Sequence, residues 1–198
     1  MRTYHATRFC NGMDWGKVSV APIDLQHWLP DAGIRAQAQL CWDETALYIR
    51  QCAWEENIRA EHFGQLRPVC EDSCLEFFFG MGDGRYFNIE FNPNKALYFG
   101  FGYNGEGRIR LILDSEESLL QPCVAFMDGG WEIQYRVPVT IIRQFYPDFR
   151  LFEGMELMGN FYKCGDRTPN PHYLTWNPIT SESPSFHRPI DFGRIMLI

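Results

Sequence analysis

Tyr86-Phe87-Asn88-Ile89-Glu90-Phe91-Asn92 alternates apolar and polar side chains almost without a break. A strand turns successive side chains to opposite faces, so Phe87, Ile89 and Phe91 share one face and Tyr86, Asn88, Glu90 and Asn92 the other. Cys70 to Gly80 has the same period, with Leu75, Phe77 and Phe79 set against Cys74, Glu76 and Phe78. The glycine-rich 80–84 turn joins the two strands. Asn92-Pro93-Asn94-Lys95 then reads as a turn that returns the chain along 96–102.

The pattern extends outward from this unit. Residues 34–41 and 47–54 alternate on either side of Asp43-Glu44 and read as a hairpin. Further strands are expected at 108–113, 123–127, 131–137, 156–164 and 194–198, with a short helix over 140–146 that ends at Pro147. The spacing of turns predicts an all-β fold, an antiparallel β-sandwich of about ten strands with one short helix and a long C-terminal proline-rich loop. Residues 1–33, broken by Gly12, Gly16, Pro22, Pro30 and Gly33, read as an irregular segment that Trp15 and Trp28 anchor to the core. At 198 residues, with no repeat or linker, the chain reads as a single domain over 1–198.

Composition narrows the function. The net charge is −7 and no run of Lys or Arg occurs, which disfavours a nucleic-acid partner. No apolar stretch is long enough to span a membrane, and the N-terminus has no signal-like apolar region. Seven cysteines without a C-x-x-C pair give no zinc or thioredoxin-like motif, and reduced thiols in a cytoplasm are expected. A secreted protein trimmed of its signal peptide would read the same way.

Asn160 to Pro189 is where side chains of a site collect. Pro169, Pro171, Pro178, Pro184 and Pro189 exclude a helix or a central strand there, leaving a stiff loop. It carries Trp176, Lys163, Asp166, His172, His187 and Arg188. If strands 46–54, 72–79 and 86–92 are neighbours, Arg50, Trp54, Glu76, Asn88, Glu90 and Asn92 lie on one polar surface. That surface reads either as a solvated sheet face or, with the loop folded over it, as a pocket for a polyhydroxylated ligand. Carboxylates and amides pair with vicinal hydroxyls, and an indole packs on the C–H face of a sugar. Glu76 and Glu90 could also serve as the acid and base of glycoside hydrolysis. His172, His187 and Asp166 could be metal ligands, or hydrogen-bonded anchors of the loop; the second reading leaves no metal site.

Three stretches together resemble the carbohydrate-binding module family 9 group, in its family 9-like branch. They are Glu71-Asp72-Ser73-Cys74-Leu75-Glu76-Phe77-Phe78, Tyr86 to Asn92, and Asn160-Phe161-Tyr162-Lys163-Cys164-Gly165-Asp166 with His172…Trp176-Asn177-Pro178 and Phe186-His187-Arg188-Pro189. The resemblance covers roughly residues 34–198 and implies a β-sandwich related to DOMON-type folds. It also implies a sugar site between the sheet face and the late loop. Of the two tryptophans that clamp sugar in such modules, Trp176 matches the later, while Val69 stands at the earlier and Asn88 replaces a basic residue. Some members hold structural calcium; no other cofactor is implied.

The expected function is therefore non-catalytic binding of a mono- or oligosaccharide. Trp176 would be the stacking platform, and Glu76, Glu90, Asn88 and Asn92 the floor. Lys163, His172 and Arg188 would be donors from the loop, with Trp54 and Arg50 at the edge. A glycoside hydrolase encoded nearby is the expected associate. The alternatives are a glycan-processing enzyme using Glu76 and Glu90, or an intracellular structural or interaction domain that keeps the fold without binding sugar.

Overall fold

Tyr86–Phe91 is a two-faced strand, as expected, in the computed structural model, which describes residues 1–9, 14–105, 107–114 and 119–198. Cys10 and Gly12 lie outside the described residues. In chain order the strands are β1 Thr3–Arg8, β2 Ala21–Ile23, β3 Leu25–Gln26, β4 Arg35–Trp42, β5 Ala46–Trp54, β6 Cys74–Gly80 and β7 Tyr86–Phe91. Then come β8 Leu97–Gly102, β9 Ile109–Arg110, β10 Cys123–Met127, β11 Gly130–Pro138, the short helix α1 Val139–Ile142, β12 Glu156–Cys164, β13 Tyr173–Thr175 and β14 Gly193–Leu197.

The strands hydrogen-bond in the order β10-β11-β5-β4-β1-β14-β12-β6-β7-β8-β9, with β2, β3 and β13 off this path. Most pairs are antiparallel, and tight turns join β4–β5, β6–β7, β7–β8 and β10–β11 as hairpins. One is built on Gly129, whose φ of 69° suits a residue without a Cβ, followed by Gly130, where a Cβ would meet Ala53 O at 2.1 Å.

The sheet is mixed rather than purely antiparallel, which corrects the expected arrangement. β1 runs parallel to both its neighbours, pairing Thr3–Ala6 with β14 and Thr7–Arg8 with β4. The β1–β14 pairing joins strands from opposite ends of the chain, whereas β1 reaches β4 through the segment that carries β2 and β3. The expected irregular segment 1–33 thus holds a strand at the centre of the path, where Tyr4 and Ala6 enter the core. Trp15 and Trp28 do act as anchors, donating to Gln134 Oε1 at 3.0 Å and Ser181 O at 2.8 Å.

The β5 side of the sheet faces the β6–β7 side across one core. Gln51 on β5 donates to Glu76 O at 2.9 Å, and Tyr135 on β11 packs on Phe91 at 5.0 Å. Phe77, Phe79, Phe87 and Phe161 stack within this core at 4.8–5.1 Å. Such ring pairs contribute about 0.5–1.5 kcal/mol each beyond the area they bury. The other face of β6, β7 and β12 is buried too, under a second apolar cluster that includes Phe78, Tyr86, Tyr162, Phe186 and Phe192. The C-terminal segment supplies that cover.

Candidate functional site

Glu76 on β6 stands directly opposite Glu90 on β7, on the face that the C-terminal segment covers. The shared face follows from strand parity; the cover follows from aromatic packing. Phe186 stacks on Tyr162 at 4.3 Å, His187 lies 5.1 Å from Phe78, and the Tyr86 hydroxyl meets His187 Nδ1 at 2.7 Å. Beneath this roof is a cavity of about 200 Å³ lined by Cys70, Glu76, Phe78, Glu90, Cys164, Asp166, Tyr173 and Pro184 to His187. The late loop therefore does fold over the polar face. It is not wholly irregular, because β13 interrupts it and pairs with β12 and β3.

The electrostatics follow from burial. Desolvation, with a smaller contribution from Asp166, pushes the Glu90 carboxyl up to about 7 although Asn88 Nδ2 donates to it at 2.8 Å and the Arg108 charge opposes the rise. Burial and the facing Glu90 hold Glu76 well above the carboxylate range. Burial also raises Asp166, whose Oδ1 is enclosed without a hydrogen-bond partner. The cavity thus offers carboxyl groups that can donate as well as accept, beside the Tyr173 ring. That is a set suited to hydroxyl groups.

Other expected site residues lie elsewhere. Trp176 is packed in the main core at 3% exposure, against Tyr4 and Phe161, and offers no open ring face. Val69, at the other tryptophan position of such modules, is buried as well. Lys163 alternates onto the face opposite Cys164 and is fully buried. Its Nζ donates to His172 Nε2 at 2.7 Å and Cys164 O at 2.9 Å, and lies 3.1 Å from Glu55 Oε2. His172 Nδ1 lies 2.8 Å from Asn170 O, so Nδ1 carries the proton and Nε2 accepts from the lysine.

Asn88 is clamped between Glu90 and Arg108, and Asn92 donates to Asp72 Oδ2 at 2.7 Å and accepts from the Asn94 and Ala96 amides within its turn. Both serve as supports, and neither lines the cavity. Arg188 is engaged by Asp191 and Thr180. Arg50 and Trp54 lie on β5, whose neighbours are β4 and β11, not β6. Arg50 pairs with Glu132, and Trp54 lies under Arg35 beside a separate hollow of about 520 Å³. Of the residues named from the sequence, the structure brings Glu76, Glu90, Asp166 and His187 to the cavity. Sequence reasoning missed Cys70, Tyr173 and Phe186 as lining residues, and no periodic signal marks them.

Burial, reinforced by Arg108, lowers His187 from 6.5 to about 4. The folded protein therefore binds fewer protons than the unfolded chain between these values. Its contribution to stability is full above pH 6.5 and is lost as pH falls toward 4. Urea unfolding at pH 7.5 and pH 5 is expected to show wild type losing on the order of 1–2 kcal/mol more than His187→Gln between the two conditions. Equal losses would contradict a buried neutral imidazole.

A family model described as carbohydrate-binding family 9 matches residues 9–197. Among solved structures, a proposed carbohydrate-binding protein from Bacteroides uniformis is 25% identical with a TM-score of 0.86, covering 100% of this chain and 99% of that one. A family 9 carbohydrate-binding module from Caldicellulosiruptor kristjanssonii, solved with glucose, is 12% identical with a TM-score of 0.70, over 100% of this chain and 96% of that one. The module from the same organism solved with cellotriose gives 12% and 0.70, over 99% and 93%. No curated protein matches the sequence.

Proposed function

Since the chain belongs to carbohydrate-binding family 9, we propose that it binds a saccharide without transforming it, in the cavity between the paired carboxyls of Glu76 and Glu90 and the C-terminal roof. The observation that carries this reading is a cavity lined by the Glu76, Glu90 and Asp166 carboxyl groups beneath Phe186 and His187.

Ligand pockets usually measure about 300–1,000 Å³, so a hollow of about 200 Å³ fits one sugar ring or the end of a short chain. With Trp176 and Val69 both buried, recognition rests on hydrogen bonds, with Tyr173 and Phe186 as the aromatic surfaces. Glu76 and Glu90 share one wall of the cavity, which suits gripping hydroxyls rather than attack from two sides. On this reading the protein serves a glycoside hydrolase encoded nearby, by holding it close to its substrate.

Calorimetric titration with a panel of mono- and oligosaccharides, glucose and cellotriose included, tests the proposal. Wild type is expected to bind at least one sugar. Asp166→Ala, at a half-buried position, is expected to weaken that binding about tenfold, as loss of one ~1.4 kcal/mol hydrogen bond requires. No heat with any sugar, or equal affinity in the variant, contradicts it.

A further inference from the structure

Cys74 and Glu76 are two residues apart on β6 and share a face, and Cys164 on β12 stands directly opposite Cys74. Two Sγ atoms and one carboxylate oxygen from these side chains all lie within 4.8 Å of one another, and the Cys164 thiol donates to Glu76 Oε1 at 2.9 Å. Zn–S bonds of about 2.3 Å and Zn–O bonds of about 2.1 Å set the donors of a tetrahedral site roughly 3.5 Å apart, so small adjustments would close this cluster on an ion.

All three side chains are buried, which shields the donors from competing water. Glu76 and Cys164 also line the cavity, as does Cys70, whose carbonyl lies 3.8 Å from Cys164 Sγ. Neighbouring cations are engaged elsewhere: Lys163 by Glu55 on the opposite face, and Arg167 by Glu71 at 3.2 Å.

We propose that Cys74, Cys164 and Glu76 form a site for one thiophilic divalent cation, Zn²⁺, at the floor of the cavity. Two thiolates select a soft or borderline ion over calcium or magnesium, which prefer oxygen donors. As two Zn–S bonds and one Zn–O bond form, the two thiol protons and the Glu76 carboxyl proton pass to solvent, and no electron changes hands. The proposal does not rest on sugar binding, although the site shares Glu76 with the proposed sugar cavity.

The full-length reduced protein, freed of metal by a chelator that is then removed, is titrated with Co²⁺ under anaerobic conditions and afterwards with Zn²⁺. One equivalent of Co²⁺ is expected to give a thiolate-to-cobalt charge-transfer band that one equivalent of Zn²⁺ abolishes. Cys164→Ser is expected to lose the band, while Cys123→Ser, on the exposed strand β10, keeps it. Circular dichroism shows whether Cys164→Ser is folded, and the wild-type spectrum decides if it is not. A wild-type protein without the band, a band that survives in folded Cys164→Ser, or a Cys74–Cys164 disulfide that persists under reductant would overturn the proposal.

Discussion

Lys163→Met is expected to lower the free energy of unfolding by about 3–5 kcal/mol, the range for removing one partner from a buried ion pair. The lysine is fully buried, and its counter-ion Glu55 is 2% exposed at the side chain. Glu55 also accepts from Trp131 Nε1 at 2.7 Å and from the Ser73 hydroxyl at 2.9 Å, so its carboxylate cannot turn to solvent. Without the ammonium group a charge stays in the core, while His172 Nε2 and Cys164 O lose their donor. A domain typically holds about 5–15 kcal/mol in total, so urea unfolding would register the change as a large shift in midpoint. Lys163→Met combined with Glu55→Gln is expected to recover part of the loss, because the stranded charge goes too. Sugar affinity of the folded variant is expected to match wild type. A selective loss of affinity would restore Lys163 to the binding site.

Trp176→Ala has a comparable effect, about 3–5 kcal/mol, as for other large-to-small changes in a core. The indole packs edge-on against Tyr4 and Phe161 at 6.4 and 5.8 Å. Its far edge presses on Gly193 so closely that a Cβ there would lie 2.5 Å from the ring. That contact fixes β14 as a neighbour with no side chain at this point, and it leaves no room for collapse around the deleted ring. Thermal unfolding is expected to move down by many degrees. Gly193→Ala is expected to destabilise as well, through overpacking against the same ring. An unchanged melting temperature with lost sugar binding would mean that the indole is a contact surface after all.

Where the sequence was informative, parity did the work. Phe87, Ile89 and Phe91 on one face of β7, and Glu76 and Glu90 on one face of the β6–β7 pair, follow from a period of two and a short turn. Parity also separates Lys163 from Cys164, but its partner Glu55 lies far away in sequence, and no local pattern names it. Chain order misled for β5, since β4 and β11 flank it and β6 faces it across the core. β1 was illegible for a related reason. Thr3-Tyr4-His5-Ala6 shows only two apolar alternations, and its place depends on pairing with Gly193–Leu197 at the far end of the chain. Prolines around Trp176 predict a long loop there. They could not show that β13, just before it, pairs with β12 and turns the indole inward. The Cys74–Cys164 pair was hidden likewise, because register between strands so distant in sequence is set by the whole sheet.

Amide chemical shifts of the uniformly labelled protein during titration with glucose and then cellotriose locate the saccharide on the fold. Shifts that grow with sugar are expected to gather around the cavity, at Cys70, Glu76, Glu90, Asp166, Tyr173 and Ser185 to His187. Shifts gathered instead around Trp54 and Arg35, or none with either sugar, would contradict binding in the cavity.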